Sequence, residues 1–235
     1  MASSDHILIT CEHGGNRVPP RYRGLFADHA DLLHSHRGYD PGALVMAEDL
    51  AATLDAPLIV STTSRLLIEL NRTIGHPSLY SVATRNAPAP VRQEILQKFY
   101  LPYRNQVETH IREAIAQGKR VVHISSHSFT PELGGEIRNA DIGLLYDPAR
   151  TGEVELCHRW QVRLKTQAPH LKVRRNYPYT GKSDGFTAYL RRCFPADVYV
   201  GIELEINQKH VLNQRRQWRA FRLQVIEALC QAMTD

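Results

Sequence analysis

Two histidines, His13 and His127, each close a short apolar run: Ile7, Leu8 and Ile9 precede the first, and Val121, Val122 and Ile124 precede the second. Imidazole nitrogen is a good zinc ligand, and a catalytic zinc site commonly adds a carboxylate and leaves one position to water. Two carboxylates are candidates for that third place. Glu12 adjoins His13, and the pair can share one ion only if the chain turns sharply, which Gly14 and Gly15 permit. Asp40, within Tyr39-Asp40-Pro41-Gly42, needs no such turn. Glu203 and Glu205 lie two apart on one predicted strand, so they share a face with Gly201. Two carboxylates on one sheet face are costly in a dry core unless paired. Glu205, nearer the strand end, reaches a cleft, where it can take a proton from bound water and pass it to a leaving nitrogen.

Four arginines are candidate anion readers: Arg72, Arg138, Arg174 and Arg175. The guanidinium fork suits a carboxylate. Asn71-Arg72 follows an apolar run and so stands where such a reader is useful. Asn176 is placed to orient a substrate or to meet a developing oxyanion. Tyr177 and Tyr179 flank Pro178 and are candidate pocket walls. Other chemistries are poorly supported. The chain has no HExxH helix motif and no GxSxG elbow. Gly181-Lys182-Ser183 lacks the glycine frame of a phosphate-binding loop and reads as a turn.

These residues need elements to hold them. Residues 6–11 read as a buried strand, and residues 12–20 as a loop. Pro41 starts a helix to about 54, and 57–61 and 66–70 read as extended. Residues 75–90 form a loop or flap, and 91–117 a helix that Gly118 ends. A strand from Val121 ends near Ser125, a glycine-bearing loop covers 130–140, and 141–147 is a strand. A helix from Glu153 to Ala168, a strand over 171–176, a short helix over 186–193 and a strand over 197–207 follow. A final helix over 213–233 buries Trp218, Phe221, Val225 and Leu229 on one face. Strands alternate with helices, which predicts an α/β layer fold around a mostly parallel or mixed sheet. Such sheets bind ligands beyond the carboxyl ends of their strands. Glu12, His13, Asn71, Arg72, His127, Asn176, Glu205 and Asn207 all fall at predicted strand ends.

The chain has 235 residues, a size that fits one catalytic domain over 1–235. Its +5 formal charge is mildly basic and scattered in short runs, which favours a small anionic substrate over nucleic acid. Four widely spaced cysteines form no CxxC pair, so a reduced cytoplasmic setting fits. No leader pattern or apolar run of membrane-spanning length is visible. Oligomeric state is not legible.

Taken in order, Cys11–Pro19, Tyr39–Ala43, Ser64–Arg72, His123–Phe129, Arg174–Gly181 and Ile202–Gln208 resemble the N-formylglutamate amidohydrolase family. The resemblance implies a three-layer α/β/α domain with a central mixed sheet, phosphorylase/hydrolase-like and related to zinc carboxypeptidases and aspartoacylase-like enzymes. It implies a Zn(2+) set of His13, Asp40 and His127, with Glu12 the alternative carboxylate. It implies a carboxylate grip by Asn71 and Arg72, contributions from Arg138, Arg175, Asn176 and Tyr179 around substrate and oxyanion, and Glu205 as general base. The implied reaction is hydrolysis of N-formyl-L-glutamate to formate and L-glutamate, within histidine degradation. Asn16 stands where the related carboxypeptidases carry a glutamate ligand, so Asp40 or Glu12 must replace it. Alternatives are another N-acyl amino acid or small peptide as substrate, or a non-catalytic anion-binding protein on the same fold.

Overall fold

The computed structural model describes residues 5–211 and 215–234. Its centre is a six-stranded sheet in the order β2-β1-β3-β8-β6-β7. The strands are β1 (His6–Cys11), β2 (Leu58–Val60), β3 (Val121–Phe129), β6 (Ile142–Leu145), β7 (Val173–Arg175) and β8 (Tyr199–Asn207). The first four in that order are parallel; β6 runs antiparallel to β8, and β7 parallel to β6. The sheet is therefore mixed. A two-stranded hairpin, β4 (Glu132–Leu133) and β5 (Glu136–Ile137), stands apart from it.

β3 and β8 pair over nine residues each and are buried throughout. Central strands covered on both faces read as near-continuous apolar runs, and these two depart from that chiefly on one face, with Ser126 and Ser128 of β3 the exceptions on the other. Val122, Ile124, Val200, Ile202, Leu204 and Ile206 face a core filled by α2 (Ala43–Leu54), α5 (Thr151–Gln167) and α7 (Arg215–Thr234). The opposite face begins apolar, at Leu8, Val121 and Tyr199, against α3 (Ala89–Ile95), α4 (Leu101–Ala116) and α6 (Phe186–Cys193). Towards the carboxyl ends it turns polar: Thr10, Ser125 and His127 lie beside Glu203 and Glu205. Helices thus cover both faces in three layers. A short α1 (Ala30–Leu33) follows a 3₁₀ stretch, Pro20–His29. No helix among the described residues is long and apolar enough to cross a membrane.

Several expectations change. Residues 66–70 are buried but form turns instead of a strand. Their backbone contacts are local or to the following loop, as in Leu67 N to Ser64 O (2.9 Å) and Glu69 N to Leu79 O (2.9 Å). The helix expected over 91–117 is interrupted by a π turn at Leu96–Tyr100, directly before Pro102, which has no N–H to donate. β3 runs on to Phe129, so His127 lies inside the strand. The helix after Pro41 starts at Ala43, because Gly42 takes a left-handed turn (φ 84°). That turn redirects the chain just after Asp40. The predicted start of the last helix, 213–214, lies outside the described residues; its buried face carries Trp218, Phe221, Val225 and Leu229 as expected.

Candidate metal and hydrolytic site

β1 ends at Cys11, and Glu12 and His13 follow it beneath the carboxyl end of β3. Gly14 N donates to Ser61 O (3.0 Å), and Asp40 N donates to His13 O (3.0 Å), which brings the Asp40 turn alongside His13. His13, Asp40 and His127 are all buried, and one ligand atom from each lies within 4.8 Å of the others. Asp40 Oδ2 is 3.3 Å from His13 Nδ1 and 2.9 Å from His127 Nδ1. Both rings therefore aim the same nitrogen at one carboxylate oxygen.

The remote nitrogens are each backed by a glutamate. His127 Nε2 lies 3.1 Å from Glu12 Oε2. Glu12 also accepts from Ser125 Oγ (2.6 Å) and from the Tyr103 hydroxyl (2.8 Å). His13 Nε2 is hydrogen-bonded to Glu69 Oε1. Arg65 joins the outer group, donating to Asp40 Oδ1 (3.0 Å) and Glu69 Oε2 (2.8 Å). A carboxylate on the far nitrogen fixes tautomer and ring orientation in metal-bound histidines.

Electrostatics follow from this packing. Burial pulls the His127 imidazole down, but hydrogen bonds to Asp40 and Glu12 and their charge outweigh it and hold it well above its usual value. Burial raises Asp40, yet His13, Arg65 and His127 together hold it well below the ordinary carboxylate range. Glu12 and Glu69 are held low in the same way, by His127 and Ser125 in one case and by Arg65 and His13 in the other. Positive charge between the two imidazoles and Asp40 is thus favoured. The Asp/His/His donor set also fits a divalent cation such as zinc, so these residues suit a metal ion in character as well as in spacing.

Glu205 behaves differently. It neighbours His127 across the β3–β8 ladder. Its Oε2 is buried and, among the described residues, has no hydrogen-bond partner. Burial, reinforced by Asp40 and Glu203 against His127 and Arg65, pushes its carboxyl up to about 8.

A cavity of about 220 Å³ opens over this group. His13, Asp40, His127, Glu205, Asn71, Arg72 and Tyr179 all line it, as does Arg65. Asn71 is tied to the start of α6, since its Oδ1 accepts from Phe186 N (2.5 Å). Arg72 Nη1 donates to the backbone oxygens of Asn71 and Asp184. Other predicted residues stand back from the cavity. Glu12 lies behind His127. Arg138 lines a neighbouring cavity and donates to the Tyr179 hydroxyl (3.0 Å). Arg175 is exposed on β7 and lines neither cavity. Asn176, with φ 50°, accepts from Tyr146 N (3.1 Å) and Gly181 N (2.9 Å), so it shapes the loop that carries Tyr179. None of residues 75–90 lines the main cavity. Sequence reasoning missed Arg65 and Glu69. The available signal was a lone acid inside the apolar run Leu66–Leu70, since such an acid must find a partner when buried.

The model of the N-formylglutamate amidohydrolase family matches residues 5–212. The crystal structure of gene product Atu2144 from Agrobacterium tumefaciens superposes with a TM-score of 0.84 at 30% identity, covering 99% of this chain and 92% of that one. N-formylglutamate amidohydrolase from Ralstonia eutropha JMP134 shares the fold, with a TM-score of 0.69 at 16% identity over 98% of this chain and 94% of that one. A search of curated proteins found no match to this chain.

Proposed function

The chain belongs to the N-formylglutamate amidohydrolase family, and from that premise we propose that it hydrolyses the amide of an N-acyl amino acid at a zinc site formed by His13, Asp40 and His127. The reference substrate is N-formyl-L-glutamate, with formate and L-glutamate as products. One observation carries the reading: a buried carboxyl, Glu205, with an oxygen unpartnered among the described residues, beside a His–Asp–His cluster. When bound, the cation supplies Lewis acidity to the scissile carbonyl and acidity to a neighbouring water.

The chain's own residues do the rest. Glu205 takes a proton from the attacking water and delivers it to the departing nitrogen. Burial favours its protonated form, which suits that second duty, while a cation bound at the cluster would favour the carboxylate needed for the first. Arg72, on the cavity wall, grips a carboxylate of the substrate, and Asn71 holds that wall against the start of α6. Tyr179 also lines the cavity. Water adds across the C–N bond, the hydroxyl going to the acyl carbon and the proton to nitrogen.

The test is formate release from N-formyl-L-glutamate by purified protein, with and without zinc, normalised to bound metal. Zinc-dependent release is expected. Glu205→Gln should keep its metal and lose about 10²–10⁴-fold in kcat, the usual contribution of a general acid–base group. Full turnover in that variant would remove Glu205 from the mechanism. Ligand binding with neither bound metal nor turnover would favour an anion-binding protein instead.

A further inference from the structure

A second cavity of about 70 Å³ adjoins the first, several times the roughly 10–15 Å³ needed to hold one water. The two share Asp40, Arg65, Ser128 and Tyr179. Asn71, Arg72, Asp184 and Glu203 line only the larger cavity, while His36, Thr130, Leu133 and Arg138 line only the smaller. The smaller cavity therefore lies across Asp40 and Arg65 from the Asn71–Arg72 wall.

Two of its groups have hydrogen-bonding capacity to spare. Thr130 is only 9% exposed, and its hydroxyl oxygen has no hydrogen-bond partner among the described residues. A buried hydroxyl without a partner is costly, so a bound group that completed it would be favoured. Arg138 makes no ion pair among the described residues; its side chain donates to the Tyr179 hydroxyl and stacks over that ring at 5.0 Å. Arg138 is partly exposed, and the rest of its guanidinium fork is open to solvent or to a ligand. Burial, and then Arg37, Arg65 and Arg138, hold His36 below its usual value against the opposing pull of Asp40, so positive charge does reach this side of the cavity.

We propose that this cavity is an acyl-side subsite, which takes a short acyl chain ending in a carboxylate, paired by Arg138 and hydrogen-bonded by the Thr130 hydroxyl. The inference rests on the amide-hydrolysis reading above. With the amino-acid carboxylate at Arg72 and the amide at the His–Asp–His cluster, the acyl substituent points away from Arg72, towards Arg138. A formyl group carries only hydrogen there and would leave the cavity unused. Hydrolysis would break the same C–N bond with one water, releasing a dicarboxylate and the free amino acid.

The test compares kcat/KM for N-formyl-, N-acetyl- and N-succinyl-L-glutamate in the zinc-loaded wild type and in Arg138→Met. The wild type should prefer the succinyl over the acetyl compound by at least about tenfold, the effect of one hydrogen bond to a charged group. Arg138→Met should lower the succinyl-to-formyl ratio by a similar factor, and Thr130→Val should lower it less. Equal loss on all three substrates would make Arg138 an oxyanion stabiliser and overturn the subsite. Turnover of the formyl compound without any succinyl preference would overturn the subsite while leaving amide hydrolysis intact. Succinate binding by calorimetry gives a readout independent of turnover: about tenfold weaker binding to Arg138→Met supports the subsite, and equal binding overturns it. If no compound is hydrolysed by protein with its metal bound, the amide-hydrolysis reading fails, and the calorimetry still decides whether the cavity binds a dicarboxylate.

Discussion

At the scale of single residues, the site is two shells of opposite character. His13 and His127 turn Nδ1 inward to Asp40 and Nε2 outward to Glu69 and Glu12. The outer glutamates should therefore set metal affinity through ring orientation. Glu69→Gln and Glu12→Gln are each expected to weaken zinc binding by about 10–100-fold, as outer partners of metal-bound histidines do. Chelator competition measures this directly, and unchanged affinity would show that the rings are held by packing alone. Of this arrangement the inner shell was legible in the sequence, because His13, Asp40, His127 and Glu205 are chemistry-bearing types near predicted strand ends. The outer shell was not. Glu69 sits in an apolar run whose local pattern resembles a strand, and Glu12 is a better ligand on paper than its position behind His127 permits. Arg72 was marked by the apolar run before it and Arg175 by the resemblance of Arg175-Asn176-Tyr177-Pro178 to the family's motif, and sequence does not reveal which side of a sheet edge a cavity opens on.

At the scale of elements, the register of β8 against β6 decides how Glu205 is presented. Gly143 is paired with Glu205 across that register, and Tyr177 O crosses so close that a Cβ on Gly143 would lie 1.9 Å from it. Gly143→Ala must push away the loop that carries Tyr177 and Tyr179. It should cost about 1–3 kcal/mol, as overpacking usually does, and lower turnover as well; an unchanged thermal midpoint would mean the loop yields freely. The same strand is anchored at its start by Asp141, whose carboxylate accepts from Lys172 N (2.6 Å) and His210 Nε2 (2.7 Å) and pairs with Lys209 (2.6 Å). Burial raises Asp141, but these partners outweigh it and hold it well below the ordinary range. A depressed carboxyl adds stability that is present above the unfolded-state value, near 3.8, and is lost as pH falls through the folded-state value. Asp141→Asn should thus be less stable than wild type by about 1–3 kcal/mol at pH 7, with the gap shrinking below about pH 4. A gap that persisted into acid would mean that the carboxylate's charge plays no part. Most element types were legible from periodicity. The extension of β3 to Phe129 was not, since it depends on pairing with β8.

At the scale of the whole molecule, the sheet divides two cores, and the polar end of one face concentrates negative charge. Glu12, Asp40, Glu69, Glu203 and Glu205 are all at most 8% exposed, and Arg65 bridges two of them. An uncompensated buried carboxylate is destabilising, so a cation among these groups should stabilise the whole fold. Binding to the folded state alone adds RT ln(1 + [L]/Kd), about 2.7 kcal/mol at a hundredfold excess over Kd. For a chain of this length each kcal/mol moves the thermal midpoint by about 2–4 °C. Saturating zinc should therefore raise the midpoint of chelator-stripped protein by about 5–10 °C. His127→Ala, which removes an inward-facing ligand, should abolish most of that rise while leaving the wild-type response as reference. A midpoint indifferent to both chelator and zinc would mean that the buried carboxylates are neutralised by protons and Arg65 alone. The cluster would then be a charge network of the fold, and the hydrolytic reading would lose its metal.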